Sequence, residues 1–479
     1  MQTYSMLIGG EWLESESGDT IECRHAFDKQ PTCRIQRGTP ADAAKAAEAA
    51  YDALHSGPWG KMLPAERTAL LRRFCDLYRQ NIQSLIEIEV RDSSNLRSEM
   101  TFKVEYVLQV FQYYIGMIDK IEGSVPPVDI RDMFAYTVKE PIGPVVAIAP
   151  WNAPLLLMMT KVAPALAAGC TVIMKPSEFT SASTLECGKL FTEAGFPAGV
   201  VNIVTGYGSE VGEPLVVHPK TAKIAFTGGT ATGKRISALA GEHLKPVTME
   251  LGGKSPNIVF DDADIDKVVE GAMRALFMQA GQVCIAGSRL LIHESIHDRF
   301  MEKMIARLKS AKVGDPNDIN TVVGPIVTQA QFEKVAAYLE LARQEGVSVA
   351  FGGEIVDAER SLVSPTIYTG VTNDMRIARE EIFGPVMSVI KFRTDDEAIA
   401  IANDTPYGLA AGVWTKSMPR AHKMAKAIQA GNVWINTYSM IYYSVPFGGY
   451  KQSGIGHENG LASIDSYLQT KSIWVNVAE

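Results

Sequence analysis

No two of the six cysteines (Cys23, Cys33, Cys75, Cys170, Cys187 and Cys284) stand at C-x-x-C spacing, which argues against a zinc site and against a disulfide framework. No metal is expected, and a reducing compartment, the cytoplasm, suits such a set of thiols. Basic side chains are also few. The 46 Lys and Arg against 54 Asp and Glu leave a net charge of −8, without basic runs or aromatic-basic interleaving, so nucleic acid is not an expected partner. Long apolar runs are missing as well. The most apolar stretch, Pro154 to Cys170, is cut by Lys161 and Pro164 and falls short of the roughly 20 residues a membrane helix needs. The opening residues, Met1 to Gly10, lack the basic region of a secretory leader. What remains is an ordinary globular composition, 46% apolar and 21% charged, in 479 residues, enough for two or three domains.

Thr39-Pro40 opens an alanine-rich helix with a capping hydroxyl and a proline in the first turn, and amphipathic helices follow over 65–90 and roughly 103–121. Val125-Pro126-Pro127 and Phe134 to Val138 read as two short strands leaving the compact body. From Gly143 onward, short apolar strands (145–148, 171–174, 200–204, 222–226) alternate with helices (155–168, 180–194), the pattern of a parallel sheet covered on both faces. Ligands in such sheets bind at the carboxyl ends of the strands. A second α/β unit begins near Leu251 and continues through helices over 294–311 and 328–345. The tail, Thr470 to Val477, reads as a strand with nowhere local to pair.

Two glycine loops tempt a phosphate-binding reading. Gly206-Tyr-Gly208-Ser-Glu-Val-Gly212 has one residue too many before its last glycine for the dinucleotide fingerprint. Gly228-Gly229-Thr-Ala-Thr-Gly233-Lys234 resembles an NTPase loop, but Arg235 stands where a magnesium-binding hydroxyl is required, which excludes ATP. A strand ending at Phe226, then glycines and a helix, still offers N–H groups and a positive helix end to a pyrophosphate.

Gly281-Gln-Val-Cys284-Ile-Ala-Gly-Ser-Arg289 places a thiol in a turn between a strongly periodic helix (265–277) and a buried strand at 289–292. Free N–H groups at such a junction suit a thiolate that adds to a carbonyl, whereas an isolated cysteine there is equally a small buried hydrophobe. Upstream, Glu250 interrupts the strand-like alternation of Val247, Met249 and Leu251, and Gly252-Gly253 lets backbone pass close to a neighbour. A carboxylate beside a nucleophilic thiol can act as general base toward water; alone it reads as a solvated strand end.

These stretches, Met249 to Lys254 and Gly281 to Cys284, resemble the aldehyde dehydrogenase superfamily, and further blocks continue the resemblance in the family's order: Pro150-Trp151-Asn152, Lys175-Pro176-Ser177-Glu178, Phe226-Thr227-Gly228, Glu381 to Pro385 and Pro446 to Gly454. The resemblance covers essentially the whole chain. It implies oxidation of an aldehyde to a carboxylic acid with NAD, NADP being the alternative, through a Cys284 thiohemiacetal and a thioester hydrolysed by water that Glu250 activates. Asn152 would hold the oxyanion, and Lys161 and Glu458 would form a proton path. The implied cofactor contacts are Ile148, Pro150, Trp151, Lys175, Ser177, Glu178, Gly208, Gly212, Phe226, Gly228, Gly229, Gly233, Leu251, Glu381 and Phe383. Glu178 favours NAD, because a carboxylate accepts from a free ribose diol and repels a 2′-phosphate. Two residues depart from the family pattern: Gly229 stands where serine is common and His457 where arginine is common.

The expected fold is α/β: a Rossmann-like parallel-sheet cofactor domain (1–122 and 142–250), a second α/β catalytic domain carrying the cysteine (251–450), and a small β oligomerisation arm (123–141 and 465–479) that implies a homodimer or homotetramer. The family's entry tunnel falls here on Ala153, Leu156, Leu157, Thr160, Val283, Ile285, Met440, Ile441, Tyr442 and Tyr443, with 153 and 160 small enough to leave room. That apolar wall suits a medium-sized or aromatic aldehyde. Competing readings are a coenzyme A-acylating dehydrogenase, which needs no base for water; a cysteine hydrolase, for which none of the eight histidines sits in a recognisable signature; and a non-catalytic structural protein on the same fold.

Overall fold

The computed structural model describes residues 1–478; residue 479, the last of the expected arm, lies outside the described residues. Five parallel strands form the centre of the first sheet, in the order Val247–Glu250, Lys223–Thr227, Val145–Ile148, Val172–Lys175 and Val201–Ile203. Antiparallel strands close its edges, Gly454–Ile455 on one side and Met6–Ile8 with Glu11–Leu13 on the other. The central strands are buried and largely apolar because both faces are covered. Val145 and Ala147 pack into the cluster that holds Leu155 and Met158 of helix Pro154–Ala168, while Val146 and Ile148 pack toward Ala43, Ala46 and Ile236. That accounts for the apolar run before Cys170: it is a core helix. Among the described residues, no helix is long and apolar enough to cross a membrane.

Register decides where chemistry can sit. Ile148 stands beside Lys175 and Phe226, and Thr227 beside Glu250, so these strands end on one rim. The second sheet has seven strands in the order Ser348–Phe351, Thr366–Thr369, Val386–Phe392, Arg289–His293, Pro256–Val259, Ala410–Trp414 and Asn432–Ile435, parallel except at its first edge. Only residues 251–255 separate the end of Val247–Glu250 from Pro256–Val259, and this short segment carries Gly252-Gly253 past the cysteine turn.

The tail requires a correction. Leu468–Asn476 is not unpaired: it forms a nine-residue antiparallel ribbon with Met133–Pro141, with Leu468 opposite Pro141 and Asn476 opposite Met133. Its partner lies more than 300 residues upstream, so nothing local in the sequence could announce the pairing. Val125-Pro126-Pro127 forms no strand either, and two consecutive prolines without N–H explain why. The ribbon leaves Trp474 56% and Phe134 43% exposed.

Candidate active site

Helix Ile265–Phe277 ends in a tight turn in which Gln279, Ala280 and Gly281 all have left-handed backbone, with φ of 49°, 53° and 75°. Cys284 follows in a partly exposed turn before strand Arg289–His293. Close approaches explain the neighbouring glycines. A Cβ on Gly253 would stand 2.5 Å from the Cys284 carbonyl oxygen, and one on Gly252 would strike the Glu381 carboxylate, which instead accepts the Gly253 N–H at 3.1 Å.

Asn152 is buried and donates one Nδ2 hydrogen to the Gln282 carbonyl at 2.8 Å, leaving the other free. Glu250, at the end of its strand, is 3% exposed, and neither carboxylate oxygen has a hydrogen-bond partner. Burial, and next the charge of Glu458, hold its carboxyl well above the ordinary range, with Lys161 partly offsetting them. The Cys284 thiol is pushed up to about 12, first by burial and then by Glu250 and Glu381. Glu250 and Glu381 thus flank the thiol, and the negative charge of either one disfavours its ionisation.

These groups line a cavity of about 180 Å³ together with Trp151, Leu157, Gly228, Leu251, Lys334 and Phe383. It shares Pro150, Trp151, Thr227, Gly228 and Gly229 with a larger cleft of about 600 Å³ along the strand ends, lined also by Ile148, Lys175, Ser177, Glu178, Gly208, Gly212 and Phe226. A Cβ built on Gly208, Gly212 or Gly229 meets nothing within 4 Å, so these glycines keep the cleft floor open. Gly233 is placed otherwise. It lies inside helix Thr230–Glu242 with its missing Cβ against Leu251, so it packs that helix and does not line the cleft. At the far end, Lys175 lies 3.3 Å from Glu178, whose carbonyl accepts from the Cys23 thiol.

Lys161 and Glu458 sit behind the rim, outside both cavities. The Lys161 ammonium, fully buried, donates to Thr227 Oγ1 and to Glu458 Oε1, each at 2.6 Å. Thr160, expected in the tunnel wall, is buried and donates to Glu458 Oε2 at 3.3 Å and to the Leu157 carbonyl at 3.1 Å, so its hydroxyl is taken up behind the rim. Ser453 Oγ donates to the Gly252 carbonyl at 2.7 Å, and its own carbonyl accepts from Leu251 N, which ties the block after Pro446 to the end of the Glu250 strand.

Several site residues were invisible in the sequence. Gln331 Nε2 donates to the Ile382 and Phe383 carbonyls at 2.9 and 2.8 Å, clamping a loop in which Phe383 has φ 59° and meets Trp151 edge-on at 5.5 Å. Lys334, from the same helix Gln329–Gln344, and Lys254 oppose the burial that raises Glu381. On their helix, Gln331 and Lys334 are spaced like any polar face, so no local signal marks them. Thr227, a hydroxyl at the carboxyl end of a central strand, could have been flagged by its position alone. Tyr443 packs against Tyr442 at 4.2 Å, Tyr113 at 5.3 Å and Tyr106 at 6.2 Å, so helix Arg97–Ile115 and the segment at 442–443 share one aromatic cluster.

A thiol, a free amide hydrogen and an enclosed carboxylate at the inner end of a nucleotide-sized cleft define the class of oxidoreductases that work through a covalent cysteine adduct. The aldehyde dehydrogenase family model matches residues 12–473, and the chain belongs to that family. It is 44% identical to betaine aldehyde dehydrogenase of Brucella anthropi, over 99% of this chain and 98% of that protein. It is 43% identical to (Z)-2-((N-methylformamido)methylene)-5-hydroxybutyrolactone dehydrogenase of Acinetobacter baylyi, over 100% and 98%. Among solved structures it resembles betaine aldehyde dehydrogenase of Staphylococcus aureus, crystallised with NAD+ and a modified cysteine, at a TM-score of 0.98 and 38% identity over 100% of this chain and 98% of that one. The NAD+ complex of a Bacillus cereus aldehyde dehydrogenase follows at 0.97 and 40%, over 100% and 97%.

Proposed function

We propose that the chain oxidises a neutral, medium-sized or aromatic aldehyde to its carboxylic acid with NAD, by way of Cys284. The observation that carries this reading is Glu250: a carboxyl group with no hydrogen-bond partner, buried in the same cavity as the thiol, is a base held in reserve. The thiol of Cys284, deprotonated, adds to the aldehyde carbon, and the free Asn152 Nδ2 hydrogen with the Cys284 N–H stabilises the resulting oxyanion. NAD, when bound, supplies the acceptor for the hydride lost as the thiohemiacetal becomes a thioester. Glu250 then takes a proton from water, whose oxygen displaces the thiol and releases the acid. The proton leaves toward Glu458, whose salt bridge with Lys161 reaches the rim through Thr227.

The cleft fits the cofactor on this structure's own terms. The three open glycines form a cradle that any Cβ would fill, and Glu178 with Lys175 stands where an adenosine ribose diol would end. Glu178 supports NAD over NADP. The buried base favours water over coenzyme A as the acyl acceptor. The exposed apolar side chains of the 133–141/468–476 ribbon support a homo-oligomer, and six thiols free of disulfides among the described residues support a reducing, cytoplasmic setting.

The test is Cys284→Ser. It should bind NAD normally and lose nearly all NADH formation, because a hydroxyl of similar volume is a far weaker nucleophile. Normal turnover would overturn the thiol mechanism, and the non-catalytic alternative predicts no NADH from the parent protein either.

A further inference from the structure

Gln279 and Ala280 both hold a left-handed backbone that residues with a side chain rarely adopt, a strain that persists only where the surroundings fix it. The strained turn lies immediately before the cysteine motif, and its hydrogen bonds form a closed circuit. Gln279 Nε2 donates to the Asn152 carbonyl, which also accepts from Asn95 Nδ2 at 3.0 Å. Asn152 Nδ2 donates to the Gln282 carbonyl at 2.8 Å, and Gln282, through its N–H at 3.0 Å and its Nε2 at 2.9 Å, donates back to the Gln279 carbonyl. Backbone and side chain of the amide assigned to the oxyanion are thus both tied to this one turn.

The circuit is anchored to helix Arg97–Ile115 by a single acid. Glu99 Oε1 accepts the Gln279 N–H at 2.9 Å across 180 residues of sequence. Its other oxygen is enclosed without a partner, as is the ammonium of Lys103 one helical turn on. A carboxylate in that position makes a charge-assisted bond to the N–H of a residue whose backbone would otherwise relax toward the right-handed region.

We propose that Glu99 is a positioning residue for the oxyanion step: it holds the left-handed turn at Gln279, and through Gln279 it sets the placement of Asn152 relative to Cys284. The proposal rests on the assignment of Asn152 to the oxyanion given above. Glu99 itself touches neither substrate nor cofactor.

The experiment measures the rate of the first NADH turnover at saturating NAD and aldehyde in Glu99→Ala, Glu99→Gln, Asn152→Ala and the Glu99→Ala/Asn152→Ala pair, with NAD affinity measured alongside. Glu99→Ala should slow the first turnover by about tenfold with NAD affinity unchanged, while Glu99→Gln, which keeps an oxygen acceptor in place, should stay within about threefold of the parent. In the Asn152→Ala background, Glu99→Ala should cost little more, because the two act as a unit. If Glu99→Ala fails to fold, Glu99→Met supplies the same test: it fills the space but offers no oxygen to the Gln279 N–H, and the first turnover should again slow by about tenfold. No loss in the parent background, or an equal loss in both backgrounds, overturns the proposal. An unimpaired Asn152→Ala would instead refute the oxyanion assignment beneath it.

Discussion

Replacing Glu250 with glutamine is the sharpest perturbation this site offers, because neither carboxylate oxygen makes a hydrogen bond that the substitution would break. The fold should therefore tolerate it. The linkage even favours it: with a folded-state pKa above the unfolded one, Glu250 binds more protons when folded, so its contribution to stability falls as pH rises above the usual carboxylate range, and glutamine removes that dependence. The chemical effect is selective. Acylation needs no base for water but deacylation does, and general-base catalysis contributes about 10²- to 10⁴-fold, or about 3 to 5 kcal/mol. Rapid mixing with NAD and aldehyde should give a burst of about one NADH per site, followed by a steady rate lower by at least about 100-fold. A second consequence runs the other way. Of the neighbouring charges, Glu250 does most to raise the Cys284 thiol, so removing it lowers that pKa from about 12, and iodoacetamide should alkylate the variant faster at a fixed pH of about 8. In the parent enzyme, both steps need deprotonation of a group held high, so turnover should climb with pH through neutrality rather than plateau just above the ordinary carboxylate pKa. Sustained multiple turnover without a burst, or alkylation that slows in the variant, would refute the reasoning.

Cofactor preference should favour NAD by on the order of tenfold in kcat/KM, because at about 4 Å and an effective dielectric of about 20 a carboxylate opposes each unit of 2′-phosphate charge by about 4 kcal/mol, which Lys175 only partly offsets; equal use of NADP would contradict this. Trp474→Asp on the exposed ribbon should shift light scattering from a dimer or tetramer toward monomer, and a parent protein that is monomeric at micromolar concentration would remove the premise. Benzaldehyde-like or medium aliphatic aldehydes should exceed succinate semialdehyde by on the order of tenfold in kcat/KM, since Trp151, Leu157 and Phe383 line the cavity and Lys334, the cation that lines it, faces Glu381 and Glu380; the reverse ranking would show a cation meeting the second carboxylate.

What could be read in the sequence and what could not divide along a physical line. Strand-helix alternation marks the first sheet because each parallel strand must be apolar on both faces, and the periodicity over 265–277 marks its helix because one face alone is buried. Such local constraints leave a local trace. The ribbon strand Leu468–Asn476 leaves none, since its partner is set by where the chain returns after more than 300 residues, and a strand that meets no neighbour in sequence looks unpaired. The same holds at the site. Gly252 and Gly253 announce a close approach, but only the structure supplies what approaches: the Glu381 carboxylate and the Cys284 carbonyl. Thr160 and Gly233 were drawn toward tunnel and cofactor by their neighbours in sequence, and each is claimed instead by a three-dimensional partner, Glu458 in one case and Leu251 in the other.

Glu99 is the extreme instance of that division. Nothing at residues 97–101 distinguishes it from an acidic first-turn residue that complements a helix dipole, and by local rules it would be left there. Its meaning depends on Gln279, a residue that itself looks unremarkable until its backbone is seen to be left-handed. A motif can record which atoms react, because those atoms must lie close together on one turn. The groups that hold the turn in place are free to come from anywhere in the fold that reaches it, so long as they satisfy one N–H and tolerate burial. The positioning shell of such a site is therefore where a sequence carries least information, and it is also where a single acceptor such as Glu99 Oε1 can bear on the reaction without touching any reacting atom.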